Sequence, residues 1–134
     1  RRHSVSLVSD DRIRINVRSG TSSEKRIQLL NEWYRVQIKA RVPELLGDWQ
    51  PRVGKQVNEW NIKRMKTRWG TCNIPKCRIW LNLELAKKPA ECLEYIIVHE
   101  MVHLLERNHN ERFYKYMDTL LPQWRNIDSI LKQQ

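Results

Sequence analysis

An unusually apolar segment lies in the C-terminal half of the chain, where residues 90–109 read AECLEYIIVHEMVHLLERNH. Up to residue 105 its apolar side chains cover nearly every face of a helix, a pattern typical of a buried central helix. Asn108 is a candidate for the end of this helix, because asparagine tolerates the left-handed conformation. Three ionisable side chains interrupt the apolar run: His99, Glu100 and His103.

These three residues form the pattern His-Glu-x-x-His, which is typical of metal sites. Residues four apart on a helix share one face, so His99 and His103 are predicted to direct their imidazoles to one metal ion. Glu100 lies about a quarter-turn further round, where it can reach a water molecule bound to that metal. An unpaired carboxylate is costly to bury, and a metal ion supplies the missing counter-charge. The segment therefore predicts a metal site.

A hydrolytic zinc site needs a third protein ligand and an open fourth position. His109 is the first candidate, because it lies just past the predicted end of the helix, where a turn can fold it back. Glu111 is the alternative, by analogy with zinc hydrolases that use a later glutamate. Histidine ligands suit Zn²⁺, so one zinc ion is predicted, with Ni²⁺, Co²⁺ or Fe²⁺ as alternatives.

With zinc bound, this arrangement predicts a hydrolase. Zinc lowers the pKa of its bound water to about 7 and polarises the substrate. Glu100 then accepts a proton from that water and delivers it to the leaving group. Candidates for contacts to an oxyanion are Arg112, Tyr114 and Tyr116, which follow the third histidine. For Tyr114 the alternative is packing on a helix face.

The N-terminal third of the chain is predicted to form a hairpin and a helix. Apolar residues alternate around Asp10-Asp11 from Ser4 to Val17, which is typical of a β-hairpin. Helical spacing follows, and Pro43 is expected to end that helix or to begin a second short turn. Gly47 and Pro51 then mark a loop.

The rest of the chain alternates between strand and helix patterns. Residues 53–65 and 77–84 are strand-like, and a turn over residues 69–75 is expected to join them. Asn110 can cap a further helix, which Pro122 stops, and a last short helix follows. This order predicts an α+β fold with a small antiparallel or mixed sheet and helices on one side.

Length and composition exclude several classes of protein. A chain of 134 residues predicts one domain, with the hairpin and long helix at about 1–50 and the metal-site core at about 53–134. No apolar run approaches the roughly 18 residues that a membrane span requires, and no secretory signal is visible. An odd count of 3 cysteines argues against a disulfide framework and favours reduced thiols in the cytoplasm.

The net charge of +10 is unevenly distributed. The first 70 residues carry 16 basic and 7 acidic side chains. Such an excess favours a polyanionic partner, which would be nucleic acid, a nucleotide or an acidic protein. The alternative is a solvated basic surface that only aids solubility.

Several segments together resemble the YgjP-like predicted metal-dependent hydrolases. These are small zincins, minigluzincin-like in character and related to the SprT and WLM groups. The resemblance covers about residues 60–127. It is carried by the segments Met65–Cys72, Ile79–Asn82, Tyr95–His103, Arg107–His109 and Leu120–Trp124.

The resemblance implies a zincin-like fold, with the active-site helix packed beneath a small twisted sheet. It implies zinc ligands at His99, His103 and His109. Glu100 is then the catalytic base, in agreement with the residue pattern. Arg68 belongs to the family hallmark Arg-Trp-Gly-x-Cys, and it is expected either to hold a substrate anion or to brace the turn.

We therefore expect a zinc-dependent hydrolase, in the first place a metallopeptidase with a peptide or protein substrate. Relatives described as UTP pyrophosphatases give one alternative, in which Arg64, Lys66 and Arg68 would hold phosphates. A nucleic-acid-binding module, akin to SprT-type relatives that act on proteins crosslinked to DNA, is the other. The strand at 78–83 is a candidate for pairing with a peptide substrate, and a plain core strand is the alternative.

Overall fold

The computed structural model describes residues 4–9, 12–17 and 20–133 of the chain. The predicted hairpin is present, with strand β1 (Ser4–Ser9) paired antiparallel to strand β2 (Arg12–Asn16). The predicted turn at Asp10-Asp11 lies outside the described residues. β1 also contacts the helix that follows, α1 (Ser23–Val53).

Helix α1 is longer than the sequence pattern predicts. It begins after Ser22, whose hydroxyl accepts a hydrogen bond from the Lys25 backbone N–H at 3.1 Å. The prediction that it ends near Pro43 was wrong, and the loop expected at Gly47 and Pro51 is helical as well. The helix instead stops at its left-handed C-cap, Gly54, which has φ 80°.

A continuous buried stripe explains why α1 passes through two prolines. The stripe follows helical spacing and consists of Ile38, Val42, Leu46, Trp49 and Val53. Pro43 and Pro51 are exposed, so the carbonyl groups that lose a helical partner remain open to water. An interior proline costs about 3 kcal/mol. Burying the three large side chains beyond Pro43 contributes roughly 1.5–3 kcal/mol each and outweighs that cost.

In chain order, a mixed three-stranded sheet follows α1 and precedes the remaining helices. Its strands are β3 (Glu59–Lys63), β4 (Gly70–Asn73) and β5 (Arg78–Asn82). Their spatial order is β3-β5-β4, with β5 parallel to β3 and antiparallel to β4. Because β5 has a neighbour on both sides, the prediction that it could pair with a substrate was wrong, and the plain core strand is the correct reading.

The segment 69–75, predicted as a turn, contains the edge strand β4. The reversal itself is tighter, because the Cys77 backbone N–H donates to the Ile74 carbonyl at 3.1 Å. Cys77 has a φ of 48°, which lies in the left-handed region that non-glycine residues rarely adopt. The short strand therefore enters β5 through a compact loop, and its outer edge has no strand partner among the described residues.

Four further helical segments complete the chain. They are a 3₁₀ helix (Leu83–Lys87) and the helices α2 (Ala90–Val102), α3 (Glu111–Leu120) and α4 (Trp124–Lys132). α2 ends at Val102, several residues sooner than predicted, and His103 is its C-cap. Asn110 caps α3 as predicted, since its side chain accepts a hydrogen bond from the Phe113 backbone N–H at 3.1 Å. The α+β class with a mixed sheet is confirmed.

One hydrophobic core joins α1, the sheet and the three later helices. α2 lies at its centre, as its apolar sequence predicts, and contacts α1, α3, α4, β4 and β5. None of the helices in the described part of the chain is long and apolar enough to cross a bilayer. The largest fully buried side chains include Ile38, Ile79, Leu81, Leu93, Ile97, Met101, Phe113 and Met117.

A buried amide fixes the loop that leads into β4. Asn82 is 4% exposed, and its Nδ2 donates to the carbonyls of Met65 at 2.9 Å and Arg68 at 2.8 Å. Its Oδ1 accepts from the backbone N–H of Glu84 at 3.0 Å and of Met65 at 3.4 Å. Because a buried amide is stable only when its polar atoms are paired, these bonds set the path of residues 65–68.

The contact between α2 and β4 is close because residue 70 is glycine. A Cβ atom on Gly70 would lie 2.7 Å from Ile96 Cγ2 and 3.1 Å from Glu100 Cγ. Carbon atoms in contact normally lie about 3.5–4.0 Å apart, so a side chain here would push the helix from the strand. Gly70 thus determines how near Glu100 lies to the sheet.

We expect Gly70→Ala to lower the free energy of unfolding by about 1–3 kcal/mol, because the added methyl group overpacks the α2–β4 contact. Gly47→Ala is the matched control. A Cβ at Gly47, inside α1, has no heavy atom within 4 Å. Helix propensity predicts a gain of about 0.5–1 kcal/mol for the control. Urea unfolding followed by circular dichroism measures both, and equal effects of the two substitutions would contradict the close-contact account.

Candidate metal centre

Three histidine side chains converge at the end of α2. His99 lies in its last turn, His103 is its C-cap, and His109 stands in the loop before α3. One ring nitrogen of each lies within 4.8 Å of the others. His99 and His103 are half-buried, whereas His109 is exposed. The loop thus returns His109 to the helix end, as its position in the sequence predicts.

The spacing of the ring nitrogens fits a single bound cation. His109 Nε2 lies 3.0 Å from His103 Nε2 and 3.3 Å from His99 Nε2. Two histidine nitrogens bound tetrahedrally to zinc, each at about 2.0–2.1 Å, lie about 3.3 Å apart. The donor set of three imidazoles also suits Zn²⁺ and its neighbours among the transition metals. These residues can therefore hold one divalent ion.

Backbone carbonyls fix the orientation of the His103 ring. Its Nδ1 lies 3.2 Å from the Glu106 carbonyl and 3.1 Å from the Arg107 carbonyl, so Nδ1 carries the proton and donates it. Nε2 is then the unprotonated nitrogen with a free lone pair, which is the form that binds metals. The premature end of α2 makes this possible, because residues 106 and 107 turn back towards the ring.

Burial keeps two of the histidines neutral. Desolvation lowers the pKa of His99 to about 4, and the neighbouring His103 and His109 add to the effect. Burial also lowers the pKa of His103, although its hydrogen bond to the Glu106 carbonyl acts in the opposite direction. A metal ion competes with protons for imidazole nitrogens, so a lowered pKa favours metal binding at neutral pH.

Glu100 is an almost fully buried acid in the same cleft. It is 6% exposed and lines the cleft beside His99 and His103. Burial raises the pKa of Glu100 to about 8, while the positive charge of Arg68 lowers it. A buried carboxylate next to three imidazoles is costly without neighbouring positive charge, and a bound cation would add to that of Arg68.

A cleft of about 1050 Å³ contains these groups. Its wall includes His99, Glu100, His103 and His109, together with all four residues of β4. Among the other predicted contacts, Arg68 lines the cleft.

The remaining predicted contacts lie outside the cleft lining. Arg112 is exposed, and its Nε lies 3.7 Å from Glu106 Oε2 in an ion pair. The Tyr114 ring stacks on Trp124, with centroids 5.7 Å apart, and lies 6.4 Å from the His109 ring. Glu111, the alternative third ligand, is exposed and stands outside the histidine cluster. Tyr116 packs against the hydrophobic core.

Sequence reasoning missed two residues on the cleft wall and the role of one beside it. Asp128 lines the cleft, and its Oδ1 accepts a hydrogen bond from the Tyr95 hydroxyl at 3.0 Å. Tyr95, which also lines the cleft, lay within the apolar run, where it was counted as core. In the sequence, Asn82 stands out only as part of a segment of the family resemblance. The position of Asn82, a polar residue at the end of a buried strand, could have predicted its structural role. No comparable sequence pattern marks Asp128.

Comparison with known proteins identifies the family. A family model described as YgjP-like, metallopeptidase domain, matches residues 2–134. The chain belongs to the YgjP-like family. This YgjP-like chain is accordingly a metallohydrolase of the metallopeptidase type, and the family resemblance predicted from sequence is confirmed. None of the curated proteins compared with it matches.

Two solved structures share the fold of this YgjP-like chain. One is the metallopeptidase zymogen abylysin of Pyrococcus abyssi, 21% identical, with a TM-score of 0.61 over 67% of this chain and 90% of that one. The other is the metallopeptidase zymogen jannalysin of Methanocaldococcus jannaschii, 18% identical, with a TM-score of 0.56 over 66% of this chain and 91% of that one. The zincin-like fold expected from the resemblance is therefore confirmed.

We expect His109→Ala to abolish stoichiometric zinc binding, because removal of one of three convergent imidazoles leaves only two ligands for the ion. Glu111→Ala is the matched control, since Glu111 is the alternative ligand two residues away. Plasma mass spectrometry after dialysis against zinc should give about one ion per chain for the wild type and the control, and almost none for His109→Ala. Loss of zinc from Glu111→Ala with retention in His109→Ala would make Glu111 the third ligand.

Proposed function

We propose that this YgjP-like chain is a zinc-dependent peptidase in which His99, His103 and His109 hold one zinc ion and Glu100 is the general base. The observation that supports this most is the convergence of three ring nitrogens beside a buried carboxylate in one cleft. The lowered pKa values of His99 and His103 and the free Nε2 of His103 favour the same assignment.

The chemistry divides between the metal and the protein. When bound, zinc supplies Lewis-acid chemistry, which polarises the scissile carbonyl and acidifies water. Glu100 accepts a proton from the water molecule whose oxygen attacks the carbonyl carbon. It then gives that proton to the nitrogen of the leaving amine as the carbon–nitrogen bond breaks. The positive charges of Arg68 and of a bound ion both favour the ionised form of Glu100, which this role requires.

A peptide substrate fits the free edge of β4. This strand lines the cleft along its whole length, from Gly70 to Asn73. Its edge away from β5 has no strand partner among the described residues, so its backbone groups can bind an extended peptide as an additional strand. The same strand contacts α2 at Gly70, so a peptide paired with it would pass beside Glu100.

We expect Glu100→Gln to reduce peptide cleavage by about 100- to 10,000-fold with zinc still bound, because the amide cannot accept the proton. Glu91→Gln, the same substitution at an exposed position in the first turn of α2, is the matched control. Cleavage of casein and of a peptide library, together with metal analysis, measures both properties. Full activity of Glu100→Gln would refute the assignment of the base.

The two alternative functions stay predictions, as does the cytoplasmic location. Two assays on the same purified, zinc-loaded protein distinguish the alternative functions from peptide cleavage. Phosphate release from UTP that depends on Glu100, without peptide cleavage, would favour the nucleotide pyrophosphatase. DNA binding that weakens steeply with salt and is unaffected by a chelator would favour the nucleic-acid-binding module.

A further inference from the structure

Two arginine side chains on the cleft wall have no ion-pair or hydrogen-bond partner among the residues that the structure describes. Arg68 precedes β4 and Arg107 follows α2, and both line the cleft that contains the metal site. Neither guanidinium makes a hydrogen bond or an ion pair to any residue within the described ranges. Other arginines are used structurally, since Arg35 and Arg41 donate to the carbonyls of Ile62 and Ala90. Bracing of a turn therefore does not explain the Arg68 side chain.

The protein holds the backbone of both arginines in place. The Arg68 carbonyl accepts a hydrogen bond from the buried Asn82 amide at 2.8 Å. The Arg107 carbonyl lies 3.1 Å from His103 Nδ1 and so shares in orienting a candidate metal ligand. Each guanidinium is therefore attached to a fixed point next to the site, while its side chain remains exposed. A cation on a fixed backbone is suited to binding a ligand anion.

The chain segment around Arg68 contains no acidic residue that could neutralise the charge of its guanidinium. Residues 63–78 include six basic side chains and no acidic one. The acids on the cleft wall are committed elsewhere. Asp128 accepts a hydrogen bond from Tyr95 and pairs with Lys132 at 2.8 Å. Glu100 is buried, and the charge of Arg68 lowers its pKa although the two side chains form no ion pair within 4.0 Å. Among the Arg, Asp and Glu side chains of the cleft wall, the two exposed ones are thus the guanidinium groups of Arg68 and Arg107.

We propose that Arg68 and Arg107 form an anion-binding pair beside the metal site and that the substrate is a peptide with a carboxylate close to the cleaved bond. A guanidinium binds a carboxylate through two parallel hydrogen bonds, which gives geometric specificity as well as charge. The carboxylate comes either from an Asp or Glu side chain or from the free C-terminus of the peptide. This inference rests on the proposed peptidase function and specifies its substrate class.

Cleavage profiling with a peptide library tests this assignment. Zinc-loaded wild type is incubated with a mixture in which Asp and Glu alternate with Asn and Gln around each bond, and products are identified by mass spectrometry. We expect the acidic peptides to be cleaved at least about 10-fold faster than their amide counterparts, since a hydrogen bond between charged groups is worth more than a neutral one. A parallel library with amidated C-termini separates the two sources, because only recognition of a terminal carboxylate is lost in it.

Substitutions of single arginines test which residue causes the preference for acidic peptides. Arg68→Gln should remove most of the preference for acidic peptides, measured as the ratio of acidic to amide cleavage so that any effect through Glu100 on both rates cancels; Arg107→Gln should weaken the preference. Arg64→Gln is the matched control, since Arg64 is an exposed arginine of the same acid-free segment that does not line the cleft. Equal cleavage of acidic and amide peptides by the wild type, or an undiminished preference in Arg68→Gln, would overturn the proposal.

A binding measurement keeps this result separate from the proposed function. The zinc-loaded Glu100→Gln protein is titrated with a fluorescein-labelled peptide rich in Glu and with its Gln counterpart. Tighter binding of the Glu peptide that is lost with Arg68→Gln supports the anion site even when no peptide is cleaved. Binding of inorganic pyrophosphate that depends on Arg68, without discrimination between the two peptides, would overturn the assignment to a peptide carboxylate.

Discussion

The contact between α2 and the edge strand β4 controls the properties of the whole site. The missing side chain at Gly70 lets the helix approach until Glu100 Cγ would lie 3.1 Å from a Cβ atom. Burial raises the pKa of Glu100 to about 8, while the residue still lines the cleft. The same contact brings the free edge of β4 alongside the histidines. A single backbone approach therefore sets the proton affinity of the acid, the width of the cleft and the place where an extended chain can lie.

The early end of α2 contributes the second half of the site. Had the helix continued to Asn108, the carbonyls of residues 106 and 107 would have pointed along its axis towards the C-terminus and away from the His103 ring. Because the helix stops at Val102, those carbonyls orient the His103 ring. The loop then brings the His109 ring back to His103 Nε2. Asn110 then starts α3 with its side-chain cap. The loop thus orients one candidate metal ligand, His103, and positions another, His109.

Much of this arrangement followed from the sequence, because it depends on local geometry. Two histidines four apart on a helix share a face wherever that helix lies, and the apolar run placed the helix in the core. Residues 69–75 were assigned to a turn because the strand β4 is short and flanked by Pro75, so its pairing with β5 decides its conformation. The length of α1 was missed for a similar reason. Its buried stripe outweighs the local effect of Pro43, and that stripe exists only after the core has formed.

The roles of Asn82 and Arg68 required the tertiary structure. The four hydrogen bonds of Asn82 reach 14 to 17 residues back along the chain and 2 residues forward, and no periodicity reveals them. The proposed role of Arg68 depends on the lack of an ion-pair or hydrogen-bond partner among the described residues. The contacts in the structure show this lack, and the sequence does not. In both cases the local sequence pattern was compatible with several environments, and packing selected one of them.

The long helix α1 has two halves of unequal stability. From Ser23 to Gln37 none of its side chains is buried, whereas the second half contributes five buried residues to the core. Helical turns without buried contacts open and close in local fluctuations at low free-energy cost. Amide hydrogens in the first half should therefore exchange with solvent long before those of the second half. The exposed first turns, up to Gln28, can unwind and refold while Tyr34 and Arg35 hold the middle of the helix against the core and the Ile62 carbonyl.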